Sequence, residues 1–206
     1  MKYFIYIFFL FLIYQNNKYI YRSLLYLLGF KIDLNSIQKL PSKIILISTH
    51  TSIYDFFIGL LIYYGYMHER YDNYILMKKE YEKFTNPLFN FVDKKLQLIK
   101  VEKDKNGVID KVLTQIRYKD NYMLYLAPEG TRAHTDKLKS GYWVIAKELN
   151  MDVSFIGVDF YKKKIVFEES RKVEKYWEDE KVKFKESAMK YAPLFAENCY
   201  FYNNVE

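Results

Sequence analysis

The chain has 206 residues, 50% hydrophobic and 28% charged, which is enough apolar material for one packed core and excludes a disordered or collagen-like polymer. A second domain is not expected at this length. The 32 Lys and Arg outnumber the 25 Asp and Glu, for a formal charge of +7, and this favours an anionic partner: phospholipid headgroup, phosphorylated substrate or nucleic acid. The single cysteine, Cys199, excludes an intrachain disulfide and a Cys-pair zinc site and fits a reduced, cytosol-facing location.

Phe4 to Tyr14 is almost wholly apolar. Gln15, Asn16, Asn17 and Lys18 then interrupt it before a second apolar stretch, Tyr19 to Phe30, broken by Arg22 and Ser23. Neither half reaches the roughly 20 apolar residues that a membrane-spanning helix needs. One continuous helix would bury the polar cluster near the bilayer centre. Lys2 and the apolar run resemble a signal peptide, but no small-x-small cleavage site follows. The expectation is a membrane-associated helical hairpin over residues 1–30 that lies in one leaflet, with Lys18 and Arg22 available to lipid phosphates. Two buried core helices are the alternative.

Residues 31–206 are expected to form a single domain. Ile44–Ser48, Asn73–Met77, Leu96–Val101, Tyr122–Ala127, Val153–Phe160 and Lys164–Glu168 read as strands. Helices are predicted over Ile53–Tyr64, around Ile109, Val112, Leu113 and Ile116 at i, i+3, i+4 and i+7, over Gly141–Leu149, and over most of Glu174–Tyr200, with Pro193 interrupting. Strands alternating with helices imply an α/β fold with a mostly parallel central sheet flanked by helices. Its sites are expected just beyond the carboxyl ends of the strands.

Two loops follow predicted strands and carry reactive side chains. In the first, Ser48 to Asp55, His50 and Asp55 lie five residues apart, and a regular helix would rotate them by about 140°. They meet only if His50 remains in the loop while Ser52 caps the next helix and Asp55 occupies its first turn. Asp55 then accepts from one imidazole nitrogen and leaves the other as a general base. The same Ser52-x-x-Asp55 spacing is a capping box, in which Asp55 merely closes the helix start. The second loop, Ala127 to Arg132, places a permissive glycine and a guanidinium fork where they suit a phosphate, and Lys139 extends its basic character. His50, His68 and His134 have no paired ligand spacing, so no metal site is expected.

His50-Thr51-Ser52-Ile53-Tyr54-Asp55 resembles the H-x-x-x-x-D motif of the glycerolipid acyltransferases, the group that includes 1-acylglycerol-3-phosphate (lysophosphatidic acid) acyltransferases. Pro128-Glu129-Gly130-Thr131-Arg132 matches their P-E-G-T-R block. Lys78-Lys79-Glu80, Pro87 and Ile99 to Lys105 are similar to the second block, Lys139-Ser140-Gly141 to the K-x-G that follows the third, and Phe155 to Val158 to the fourth. The resemblance spans about residues 40 to 165. Lys103 stands where arginine is usual and Gly157 where proline is usual.

The resemblance implies that His50 is the general base, that Asp55 supports its imidazolium, and that Glu129, Gly130, Thr131, Arg132, Lys103 and Lys139 serve the acceptor. It also implies a donor that is acyl-CoA or acyl-carrier protein, a lysophospholipid acceptor in a membrane, and no separate cofactor. A catalytically silent membrane-binding protein on the same fold, or an acyl-thioester hydrolase, would share these features. A nucleic-acid partner is not expected, because none of the usual aromatic-basic modules is present.

Overall fold

A computed structural model describes residues 17–78, 97–101 and 107–201. The first half of the expected hairpin, the Lys79–Glu80 pair, Pro87 and Lys103 lie outside the described residues.

Helix α1 (Lys18–Leu27) starts at Asn17, whose side chain accepts from the Tyr19 N–H. Strand β1 (Lys31–Ile32), short helix α2 (Leu34–Gln38) and β2 (Lys43–Ile47) follow. Helix α3 (Ile53–Ile62) continues into a π-turn (Tyr63–Met67) and leads to β3 (Asp72–Lys78). The remaining elements are β4 (Leu98–Val101), α4 (Val108–Ile116), β5 (Tyr122–Leu126), α5 (Gly141–Glu148), β6 (Asp152–Asp159), β7 (Lys164–Phe167) and α6 (Trp177–Ala188). A single turn of 3-10 helix covers Ala196–Asn198.

The seven strands form one sheet in the order β1-β7-β6-β2-β5-β3-β4. Every pairing is parallel except β6 with β7. The α/β, mostly parallel architecture therefore agrees with the alternation in the sequence. β2 is buried on both sides, as a central parallel strand must be. Ile44 and Leu46 face a core shared with α1 and α3, while Ile45 and Ile47 face a second core under α4, α5 and α6.

The structure differs from the sequence reading in three ways. β1 and α2 are too short to leave a periodic signal. α1 is joined to the same core as the sheet through Tyr21 and Leu25, and the Tyr21 ring stacks on Tyr64 with centroids 5.0 Å apart. Its cations are turned onto the protein: Lys18 Nζ bonds both Glu69 oxygens at 2.9 Å, and Arg22 Nε donates to the Gly65 carbonyl at 2.7 Å. This corrects the expectation that they are free for lipid phosphates. The third difference is α6, which stops at Ala188, well short of Tyr200. Pro193 disfavours a helical conformation at Ala192, and the Ala192 carbonyl instead accepts from the Phe160 N–H at 2.9 Å. Among the described residues, no helix is long and apolar enough to cross a membrane.

Candidate active site

β2 and β5 are neighbours, with Ile47 opposite Leu126. Counting three residues past each brings His50 beside Glu129. The connection after β2 leads to α3 on one face of the sheet, and that after β5 leads to α5 on the other. A crevice therefore opens between the two carboxyl ends, at the switch point where α/β sheets place their ligands.

Ser52 caps α3. Its side chain accepts from the Asp55 N–H at 3.3 Å, and Asp55 Oδ2 accepts from the Ser52 N–H at 2.7 Å, so both arms of a capping box are made. The same Oδ2 accepts from the Thr51 N–H at 2.8 Å and lies 3.4 Å from His50 Nδ1. The two sequence readings of Asp55 are thus compatible, because the cap is what aims the carboxylate at the imidazole. At 3.4 Å the pair is within ion-pair reach but longer than a formed hydrogen bond, a separation common before substrate arrives. Nδ1 is buried and makes no formed hydrogen bond. The His50 side chain is 26% exposed and Asp55 10%, so the imidazole remains accessible from the crevice.

Glu129 is 2% exposed. One of its oxygens accepts from the His50 N–H at 2.7 Å and the other from the Tyr200 N–H at 3.1 Å. Its carboxylate is therefore turned to backbone rather than to open solvent. Burial pushes its pKa up, and the His50 and Tyr200 N–H groups oppose that shift. Three consecutive N–H groups, those of His50, Thr51 and Ser52, are held by two carboxylates, which fixes the loop that carries His50.

Gly130 is required by its loop. It has a φ of 63°, its N–H closes a turn on the Ala127 carbonyl at 3.0 Å, and an added Cβ would lie 3.0 Å from the Lys139 side chain. The glycine lets Lys139 lie across the loop, where the Lys139 N–H donates to the Pro128 carbonyl at 2.8 Å. Thr131 Oγ1 accepts from the Ala133 N–H at 3.2 Å, and Arg132 is partly buried on the same loop. The structure thus brings His50, Asp55 and Glu129 together and sets Gly130, Thr131, Arg132 and Lys139 on the adjoining loop.

From Ser48 and Asp55 a narrow cleft of about 60 Å³ runs between α3 and the sheet, walled by Phe56, Gly59, Leu60, Ile75, Met123 and Val158. Along α3 from Asp55 to Tyr63, which also lines it, the rise is about 12 Å. Asn73 lines its deeper part, and the Asn73 Oδ1 is buried without a hydrogen-bond partner. Gly59 faces open space: a Cβ there would meet no atom within 4 Å. A glycine inside a helix costs about 1 kcal/mol relative to alanine, and here no protein group occupies the room it leaves. Tyr125, at the mouth, shares a 2.6 Å hydrogen bond with the Ser48 hydroxyl, and burial together with nearby Asp55 and Glu129 raises its pKa to about 12. Tyr125 and Ser48 escaped the sequence reading. The alternation of β5, which puts Met123 and Tyr125 on one face, is the signal that could have found Tyr125.

A larger cavity of about 460 Å³ lies against β6, β7 and α6 and is lined by none of these site residues. Its half-buried carboxylate, Glu168, accepts from Ser187 Oγ at 2.6 Å and from Lys190 Nζ at 2.9 Å, and its other carboxylate, Glu169, is exposed. Among the described residues, no group of three His, Cys, Asp or Glu side chains is arranged to hold a metal ion.

Comparison with the curated proteins and with solved structures returned no match. The model of the family described as Acyltransferase matches residues 31–191, which include the His50 loop, the Glu129 loop and all seven strands. The match takes in well over half of the chain, and the protein belongs to the acyltransferase family.

Proposed function

We propose that the protein is a lysophospholipid acyltransferase that moves a fatty acyl group from acyl-CoA or acyl-carrier protein to 1-acylglycerol-3-phosphate, giving phosphatidic acid. The observation that carries this reading is the approach of His50 Nδ1 to Asp55 at the mouth of an apolar cleft. Nε2 of His50 takes the proton of the acceptor hydroxyl as its oxygen attacks the thioester carbonyl. The tetrahedral intermediate collapses by breaking the C–S bond, and the imidazolium returns the proton to the departing thiolate. Asp55 favours the charged imidazole during this cycle. The cleft beneath Ser48 and Asp55 suits a slender apolar chain and excludes a bulky headgroup.

The Gly130 to Arg132 loop with Lys139 supplies the positive charge that a phosphomonoester acceptor needs, and Lys103 is assigned to the same acceptor from its place in the sequence. The outer surface of α1 leaves Tyr19, Tyr26, Leu27 and Leu28 exposed. Together with the apolar run that precedes it, this surface supports docking on a cytosol-facing leaflet.

The test is acyl transfer from both donors to lysophosphatidic acid, to a zwitterionic lysophospholipid and to water, by the parent chain and His50→Ala. Losing the base should lower turnover about 10²- to 10⁴-fold while circular dichroism and Tm hold. Normal turnover by a folded His50→Ala defeats the mechanism, and free fatty acid as the sole product makes the protein a thioester hydrolase.

A further inference from the structure

Residues 192–201 lie beyond the part of the chain that matches the family, yet they run across the carboxyl end of the sheet and are tied to it at three points. The Phe160 N–H donates to the Ala192 carbonyl at 2.9 Å, Asn198 Nδ2 donates to the Thr51 carbonyl at 3.1 Å, and the Tyr200 N–H donates to Glu129 at 3.1 Å. Cys199 and Phe201 are buried in the core beside α5 and α6 and pin the end of this strap. Tyr191, just before it, lies where a side chain at residue 157 would project. A Cβ on Gly157 would overlap the Tyr191 ring, so the glycine that replaces the family's usual proline is matched to the path of the C-terminal segment.

Two of these anchors act on the His50 loop, one directly and one through Glu129. The Thr51 peptide groups are held on both sides, the N–H by Asp55 and the carbonyl by Asn198. The His50 N–H is held by Glu129, and the second oxygen of Glu129 is held by the Tyr200 N–H. A buried carboxylate shared by two N–H groups has little freedom to turn, so the Tyr200 bond sets where Glu129 places His50.

We infer that the strap is a positioning element of the active site, in which Asn198 through Thr51 and the Tyr200 N–H through Glu129 hold the His50 imidazole against Asp55. This inference rests on the reading of His50 as the base. Neither Asn198 nor Tyr200 touches the reacting atoms. Their effect is on the fraction of time that the base is aligned, and such alignment acts on the rate of the chemical step rather than on substrate affinity.

The experiment uses the full chain and four variants. Asn198→Asp keeps the size of the side chain and removes the donor. Tyr200→Pro removes the N–H and suits the extended conformation of Cys199, with φ −74° and ψ 136°. Tyr200→Ala loses the same ring but retains the N–H, and Ala188→Gly loosens α6 without touching the loop. Asn198→Asp should lower kcat about tenfold with both KM values unchanged, and Tyr200→Pro should fall about tenfold below Tyr200→Ala. Ala188→Gly should lower Tm and keep kcat. Independently of substrate, the NMR resonances of the His50 ring should move in Asn198→Asp and Tyr200→Pro and stay in place in Ala188→Gly.

If Asn198→Asp and Tyr200→Pro retain parental kcat and leave the His50 resonances in place, the strap is mere packing and the inference fails. The same holds if kcat simply follows Tm across the four variants. If His50→Ala itself is active, the underlying assignment of the base fails instead, and the two failures are told apart by that one variant.

Discussion

Two buried glutamates, Glu180 and Glu129, are held in different ways. Glu180, on α6, is fully buried. It accepts from Arg171 through both oxygens at 2.9 Å, from the Tyr142 hydroxyl at 3.0 Å and from the Glu174 N–H at 2.9 Å. Glu129 is almost as buried, and backbone N–H groups, those of His50 and Tyr200, hold its two oxygens. A carboxylate matched by a guanidinium and two further donors is a structural clasp. The carboxylate of Glu129, whose two oxygens take loop N–H groups, keeps a raised pKa through burial, and its hold is on the geometry of its neighbours. The difference separates what stabilises this fold from what aligns its chemistry.

The largest expected effect breaks the clasp. Glu180→Ala leaves Arg171 without its carboxylate and Tyr142 without its acceptor. Stability should fall by about 3 kcal/mol, the low end for a broken buried pair, because the Arg171 side chain is 32% exposed. Calorimetry should show Tm about 10 °C lower, with kcat retained at temperatures where the variant is folded. A large loss of kcat in folded Glu180→Ala would erase the distinction between the two glutamates.

Glu129→Gln should do the opposite. It removes a buried charge but sets an amide NH₂ against one of the two backbone donors. Turnover should fall about 10- to 100-fold, with Tm no lower than in the parent chain. The pH dependence follows with the same sign. Because burial raises the folded pKa above the ordinary glutamate value, Glu129 takes up a proton earlier than other carboxylates as pH falls. In that window its own contribution to stability grows, since a buried charge is neutralised, while its grip on the two N–H groups slackens and kcat drops. Stability and kcat measured across the acid limb should therefore diverge in the parent chain and run together in Glu129→Gln.

The smallest effect concerns the cleft. Gly59→Ala should raise stability by up to about 1 kcal/mol, since it adds a better helix former where no atom stands in the way. Gly59→Leu should fill the room and shift preference toward shorter acyl donors, with kcat/KM for the longest donor falling about tenfold relative to the shortest. Unchanged chain-length preference in Gly59→Leu would mean that the cleft does not take the acyl chain.

The sequence by itself determined six of the seven strands, the helices α3 to α5 and the two loops at the strand ends. These follow from short-range patterns: β-branched runs, apolar residues at helical spacing, and a Ser-x-x-Asp cap whose partners lie within four residues. It also placed His50 and Asp55 in one loop, because a capping box is a local object. Only the tertiary structure decided which atoms Glu129 serves, since its partners are 79 and 71 residues away and a buried carboxylate takes its role from the donors that surround it. The same holds for the open space at Gly59, for the turning of Lys18 and Arg22 onto the protein, and for the strap. The run from Glu174 to Tyr200 reads as mostly helical with an interruption at Pro193, but the distant anchors at Phe160, Thr51 and Glu129 draw its second half across the site. Local propensity is weak beside hydrogen bonds that satisfy buried groups, and those bonds exist only after strands far apart in the sequence have been laid side by side.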